Sequence, residues 1–255
     1  GHYLFMKLFK YENVRMLFIP LMGAFVQGNK EKYSQKESFF VISAGPFPGI
    51  WIGSAFLIFA ASYKQEWMLE LSFLFLFLNV INLIPIDPLD GGQLFKLYVT
   101  KKRDLFLMVF ALVSSMLMIL VGWKIDSYVI LAFGFLMGFK VRSFQRSYHL
   151  RKVMDEKNIR YESTYDELTN EEYAKIKEVL IDETPALQKY LSLSEENNDE
   201  LLASHVNAAL LAPVKQDAGR TLKILVVLFW LLSLCLPVYL LLSDVLDFSW
   251  YFEKL

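Results

Sequence analysis

The stretch Asn82-Leu83-Ile84-Pro85-Ile86-Asp87-Pro88-Leu89-Asp90-Gly91-Gly92 decides how this chain folds. It closes an apolar run that begins near Met68, long enough to be a candidate membrane span. An amide, two prolines, two carboxylates and a glycine pair interrupt that run. Pro85 and Pro88 lack backbone donors and push the residues before them out of helical geometry. Inside hydrocarbon, broken backbone is tolerated only where protein or a polar cavity satisfies the freed groups. Ionisable residues at that depth are functional candidates. The residues alone allow two outcomes: a polar site set into the membrane, or a helix stop whose aspartates sit in water.

The rest of the chain favours a membrane. Of its 255 residues, 55% are hydrophobic and 16% aromatic, and the mean hydropathy is +0.35. A soluble domain holds about 45–50% apolar residues. The excess sits in runs at Phe39 to Ala60, Met68 to Ile84, Leu105 to Trp123, Tyr128 to Phe139 and Leu222 to Leu242. These five runs predict an all-α polytopic membrane protein in a lipid bilayer. The fourth is short for a core of about 30 Å at about 1.5 Å rise per residue. It would borrow residues 125–127, tilt, or lie in thinned bilayer. A net charge of −1 supplies no basic field for nucleic acid. Cys235 is the single cysteine, which excludes an intrachain disulfide and a cysteine-cluster metal site.

Charge orients the spans. One set of loops carries Lys10, Arg15, Lys30, Lys32, Lys36, Lys96, Lys101, Lys102, Arg103, Lys140, Arg142, Arg146, Arg151 and Lys152. The opposite set carries Lys64, Lys124 and Lys254. The positive-inside rule places the first set in the cytoplasm. Three parts follow: a membrane-embedded core over 1–140, a cytoplasmic helical subdomain over 141–220, and a C-terminal transmembrane helix within 221–255. The middle part turns acidic, with 14 Asp+Glu against 5 Lys+Arg from Asp155 to Glu200. Thr169 followed by Glu172 is a capping-box signal, and Tyr173, Ile176 and Leu180 recur at helical spacing. Near the start, Asn13 to Gln27 is apolar but short, and Pro20 and Gly23 punctuate it. It reads as strands, a re-entrant hairpin or an interfacial loop.

The pattern Asn82-x-x-Pro85-x-x-x-Leu89-Asp90-Gly91-Gly92 resembles the second metal-ligand motif of the site-2 protease family of intramembrane zinc metalloproteases. Gly1-His2 followed by Tyr3-Leu4 looks like the end of that family's H-E-x-G-H motif, so the chain is expected to open inside it. A tag remnant would give the same Gly-His. Ala44-Gly45-Pro46-Phe47-Pro48-Gly49 is similar to the family's glycine-proline motif, though close helix packing alone explains such residues. Together these matches run from residue 1 to about residue 104.

The resemblance implies a site-2 protease-like bundle with a small β or re-entrant element. It implies Zn2+ held by His2 and Asp90, with Asn82 donating to the oxyanion. His2 and Asp90 are therefore expected to approach each other across the folded chain. The first histidine and the general-base glutamate of such a motif fall before Gly1. The implied activity is endoproteolysis of single-span membrane-protein substrates, in a bacterial inner or plasma membrane. A non-catalytic pseudoprotease, or a module that binds or transports membrane helices, stays open beside it. Asp87 either supports Asp90 from behind or faces solvent on the turn. His149 and His205 lie in polar text far from the motif and are not assigned to metal. The turn from Ser62 to Trp67 is too short for the PDZ domain that some relatives insert there.

Overall fold

Local chemistry sets most of the helix boundaries. In the computed structural model, residues 1–19, 23–30, 33–100, 102–193, 198–242 and 245–252 are described. Pro20 of the hairpin and Lys32, Lys101 and Lys254 of the charge count lie outside them. In chain order the main elements are α1 (His2–Leu8), β1 (Glu12–Ile19), β2 (Gly23–Asn29), α2 (Gln35–Ser43), α3 (Pro46–Tyr63), α4 (Glu66–Asn82) and α5 (Asp90–Lys96). They continue as α6 (Arg103–Lys124), α7 (Tyr128–Glu156), α8 (Asn170–Asp182), α9 (Pro185–Leu193), α10 (Asp199–Ala209) and α11 (Arg220–Leu242). The chain divides into two compact units, one of residues 1–30, 34–100 and 216–255, the other of residues 31–33 and 101–215.

In the first unit, the stretch from Asn13 to Gln27 forms an antiparallel hairpin, with Met16 opposite Val26 and Arg15 opposite Gln27. A register irregularity between Glu12 and Arg15 coincides with a left-handed Asn13, φ 49°. Ser34 starts α2 by accepting the Glu37 N–H at 3.1 Å, a side-chain N-cap. The apolar run from Phe39 to Ala60 is broken into α2 and α3 at Ala44–Gly45. Pro46 opens α3, where its missing N–H leaves no bond unmade. Lys64, in the left-handed region at φ 52°, ends α3, and α4 starts at Glu66. That tight turn brings α3 and α4 together antiparallel, with Gly49 against Asn79 and Gly53 against Leu76. Phe39, Ile50, Leu57, Leu69 and Leu83 fill the core between these helices and α11.

The outer faces are apolar. Leu74, Phe77 and Leu78 on α4 and Leu228 and Leu232 on α11 are exposed, while Ser72 and Ser233 of the same helices are buried. Such an inside-out distribution suits a lipid solvent. Among the described residues, three segments are long and apolar enough to cross a membrane: residues 35–63 taken together, Arg103–Lys124 and Arg220–Leu242. The protein is an all-α polytopic membrane protein carrying one small hairpin in this unit. At 17 residues, α4 is shorter than those three segments.

In the second unit, α6 packs on α7 and the Ser115 hydroxyl donates to the Gly134 carbonyl at 2.7 Å. The helix containing the expected short span does not stop at Phe139. It runs unbroken for 29 residues into the polar text, a length of about 44 Å. Its polar end joins a separate core in which Met154, Ile176, Val179 and Val206 are buried. The Thr169–Glu172 capping box is formed in both directions. Those bonds from Thr169 hold the Glu172 carboxyl below its ordinary range. Burial, with Asp155 beside it, pushes the Tyr161 phenol up to about 12.

Candidate metal centre

The interrupted helix delivers its carboxylate in a few steps. Pro85 stops α4, and the chain tightens as the Ile84 N–H bonds the Ile81 carbonyl at 3.0 Å and the Ile86 N–H bonds the Ile84 carbonyl at 2.8 Å. Orphan carbonyls at a buried helix end need partners. Leu83, fully buried, receives one from α11, where the Trp230 indole N–H donates to its carbonyl at 2.9 Å. The Asp87–Pro88 peptide is cis. The chain then re-enters a helix at Asp90, the first residue of α5. Gly91 lies so close to the end of α4 that a Cβ there would fall 2.1 Å from the Leu83 oxygen.

Across from this turn stands His2, the first residue of α1. Its Nε2 lies 3.3 Å from Asp90 Oδ2. Its Nδ1 lies 2.9 Å from the Val41 carbonyl oxygen. A carbonyl only accepts, so Nδ1 carries a proton, and in the neutral ring the Nε2 lone pair faces Asp90. The helix break makes Val41 available. In a continuous helix the Gly45 N–H would bond Val41, but here it bonds the Ile42 carbonyl at 3.2 Å. Gly45 also admits the pair. A Cβ at that position would sit 2.2 Å from His2 Nε2 and 2.9 Å from Asp90 Oδ2. Close backbone approach to His2 and Asp90 is what excludes a side chain there, beyond any need of helix packing.

The pair suits zinc. Imidazole nitrogen and carboxylate oxygen are both zinc donors, and a tetrahedral ion with bonds of about 2.0–2.1 Å sets two such atoms about 3.3 Å apart. A direct charge-assisted hydrogen bond would be shorter, at about 2.7–2.9 Å. The Nδ1–H···O=C bond is the usual arrangement behind a zinc-ligating histidine. Among the described residues there is no group of three or more His, Cys, Asp and Glu side chains that could hold a metal.

Other candidates fall in different places. Asn82, the last residue of α4, is half-buried, and no hydrogen bond to its side chain occurs among the described residues. It makes none to His2 or Asp90. Asp87 is fully buried rather than facing solvent. Its Oδ1 lies 2.6 Å from Lys96 Nζ and accepts from Gln93 Nε2 at 3.0 Å. His149 pairs with Glu183 at 2.9 Å on the surface, and His205 bonds the Leu201 carbonyl of its own helix. Two residues, one at the site and one in the α3–α4 packing, were not singled out in the sequence. Val41 acts through its backbone, which residue type does not reveal. Asn79 packs on Gly49 and donates to the Phe75 carbonyl at 2.7 Å; an amide one turn before the motif was its only signal.

No protein-family profile matches the chain. Over 104 residues it is 33% identical to Stage IV sporulation protein FB of Bacillus subtilis (strain 168). That match covers 40% of this chain and 36% of the relative, so the chain spans about a third of the relative it matches.

Proposed function

We propose that this chain is part of an intramembrane zinc endopeptidase of the site-2 protease type, cutting transmembrane segments of membrane-protein substrates. One observation carries the proposal: His2 Nε2 and Asp90 Oδ2, with 87 residues between them along the chain, face each other at 3.3 Å, the ring held from behind by the Val41 carbonyl. The motif resemblance and the similarity to the sporulation protein support it.

His2 and Asp90 would hold the ion. An ion held there would supply Lewis-acid chemistry for activating a water and a carbonyl. The protein's own residues do the remaining work. Val41 keeps the His2 ring turned with Nε2 toward Asp90. The first turn of α5 holds the carboxylate, and Gly45 leaves the space open. Asn82 would donate its amide to the developing oxyanion from the end of α4. In a membrane-embedded unit the natural substrate is a helix that lies in the same bilayer. The charge asymmetry of the loops supports a cytoplasmic position for residues 141–220. Labelling of a Glu178→Cys, Cys235→Ser protein only from outside the cell would contradict that placement.

The test is single-turnover cleavage of a membrane-spanning substrate by the purified full-length protein, with and without a zinc chelator. Chelator-sensitive cleavage within the spanning segment is expected. A zinc-loaded, folded protein that binds such helices and never cuts them would identify a non-catalytic binder instead.

A further inference from the structure

The least expected group in the first unit is Asp87. A carboxylate on a turn between two prolines would ordinarily be solvated, yet this one has no exposed surface. Its partner Lys96 is buried as well, at 8% exposure. Burying two charges is costly, and replacing such a pair with apolar residues often leaves stability no worse. General stability therefore does not explain why an ion pair stands here. Its position does. Asp87 lies three residues before Asp90, in the turn. Lys96 is the last residue of α5, the helix that Asp90 begins. The short contact at 2.6 Å joins the entrance of this segment to its exit. Gln93, midway along α5, donates to the same Asp87 oxygen at 3.0 Å. The ring so closed, 87 to 96, contains Asp90.

The ring is anchored at both ends. Gln35 of α2 donates to the carbonyl of Leu97, just past α5, at 2.6 Å. A Cβ on Gly92 would fall 2.4 Å from the Ile86 oxygen, so the turn is pressed against the first turn of α5. Asp90 thus starts a helix that can neither slide nor rotate without breaking a buried charge pair.

We propose that the Asp87–Lys96 pair, with Gln93, is a positioning lock that sets the direction of the Asp90 carboxylate toward His2. Asp87 and Lys96 are positioning residues and touch neither ion nor substrate. The lock rests on the zinc site proposed for His2 and Asp90 and extends it to residues that no ligand motif marks. A directional salt bridge suits this task because a ligand oxygen must be held within a fraction of an ångström, which apolar packing of a short turn does not enforce.

The experiment titrates zinc into the purified full-length protein against a competing chelator. It also records the visible spectrum after Co2+ replaces zinc. Asp87→Asn and Lys96→Met are compared with wild type on preparations matched for folded fraction. Each should weaken zinc binding by about 10–100-fold, the range found for groups supporting a metal ligand, and should alter the Co2+ spectrum. Lys96→Arg, which keeps the charge, should recover most of the affinity. Folded Asp87→Asn and Lys96→Met proteins with wild-type zinc affinity and an unchanged spectrum would overturn the lock while leaving the zinc site standing. A wild-type protein that binds no zinc would overturn both. Where a charge variant does not fold, Gln93→Ala decides, because both charges remain. A drop in its zinc affinity supports the lock, and an unchanged affinity overturns it.

Discussion

α4 and α8 distribute their apolar and polar side chains in opposite ways. On α8 the buried side chains are Ile176, Val179 and Leu180, while Glu171 and Lys175 pair at 2.6 Å on the exposed face. On α4 the exposed side chains are Leu74, Phe77 and Leu78, and Ser72 is buried beside Leu69 and Leu76. The helix of the acidic subdomain is specified by apolar spacing against water. On α4 there is no such contrast, since its exposed face is as apolar as its core. Small residues and satisfied polar groups take over the task of fixing geometry. Its informative residues are therefore the glycines, amides and carboxylates, and those converge at the end of α4.

The comparison predicts opposite responses to substitution. Adding one methyl at Gly45 should be the most damaging change, because the new Cβ would sit 2.2 Å from His2 Nε2. Gly45→Ala should lose zinc while the subdomain keeps its cooperative unfolding; a Gly45→Ala protein with full zinc occupancy would show that the site is looser than described. Asn82→Ala should retain zinc and lose about 10²–10³-fold in single-turnover rate, as removal of an oxyanion donor does elsewhere. An equal loss of zinc would make Asn82 a structural residue of the α4 end instead.

In the subdomain, removal rather than addition should matter. Ile176→Ala empties a fully buried position and should cost about 2–5 kcal/mol of subdomain stability by denaturant titration. Zinc affinity should not change. Thr169→Ala removes the cap of α8, whose hydroxyl accepts the Glu172 N–H at 3.2 Å. The expected loss is about 1 kcal/mol. A loss as large as that of Ile176→Ala would mean that the cap holds more than one helix end.

Much of this was legible in the sequence because its signals are local. The apolar runs mark where the long helices lie. The Thr169–Glu172 spacing marks the start of α8, and the prolines mark the end of α4. The break between α2 and α3 was harder to see, since Gly45 and Pro46 sit inside an apolar run that reads as one span. The continuation of α7 past Phe139 was hidden because hydropathy falls there while helix propensity does not. Asp87 was ambiguous for a deeper reason. Whether a carboxylate is buried depends on its partner, and Lys96 is nine residues away on a short helix that no apolar period announces. Val41 was invisible, because its contribution is a carbonyl freed by a helix break.

The central claim is that His2 and Asp90 hold one ion between them. The direct measurement is zinc content per folded chain, with chelator-sensitive cleavage on the same preparations, for the wild-type full-length protein and Asp90→Ala. The geometry predicts one zinc per wild-type chain. It predicts joint loss of zinc and cleavage in Asp90→Ala, because one protein ligand has gone. An Asp90→Ala protein that keeps its zinc and cuts at the wild-type rate would contradict the assignment of this site.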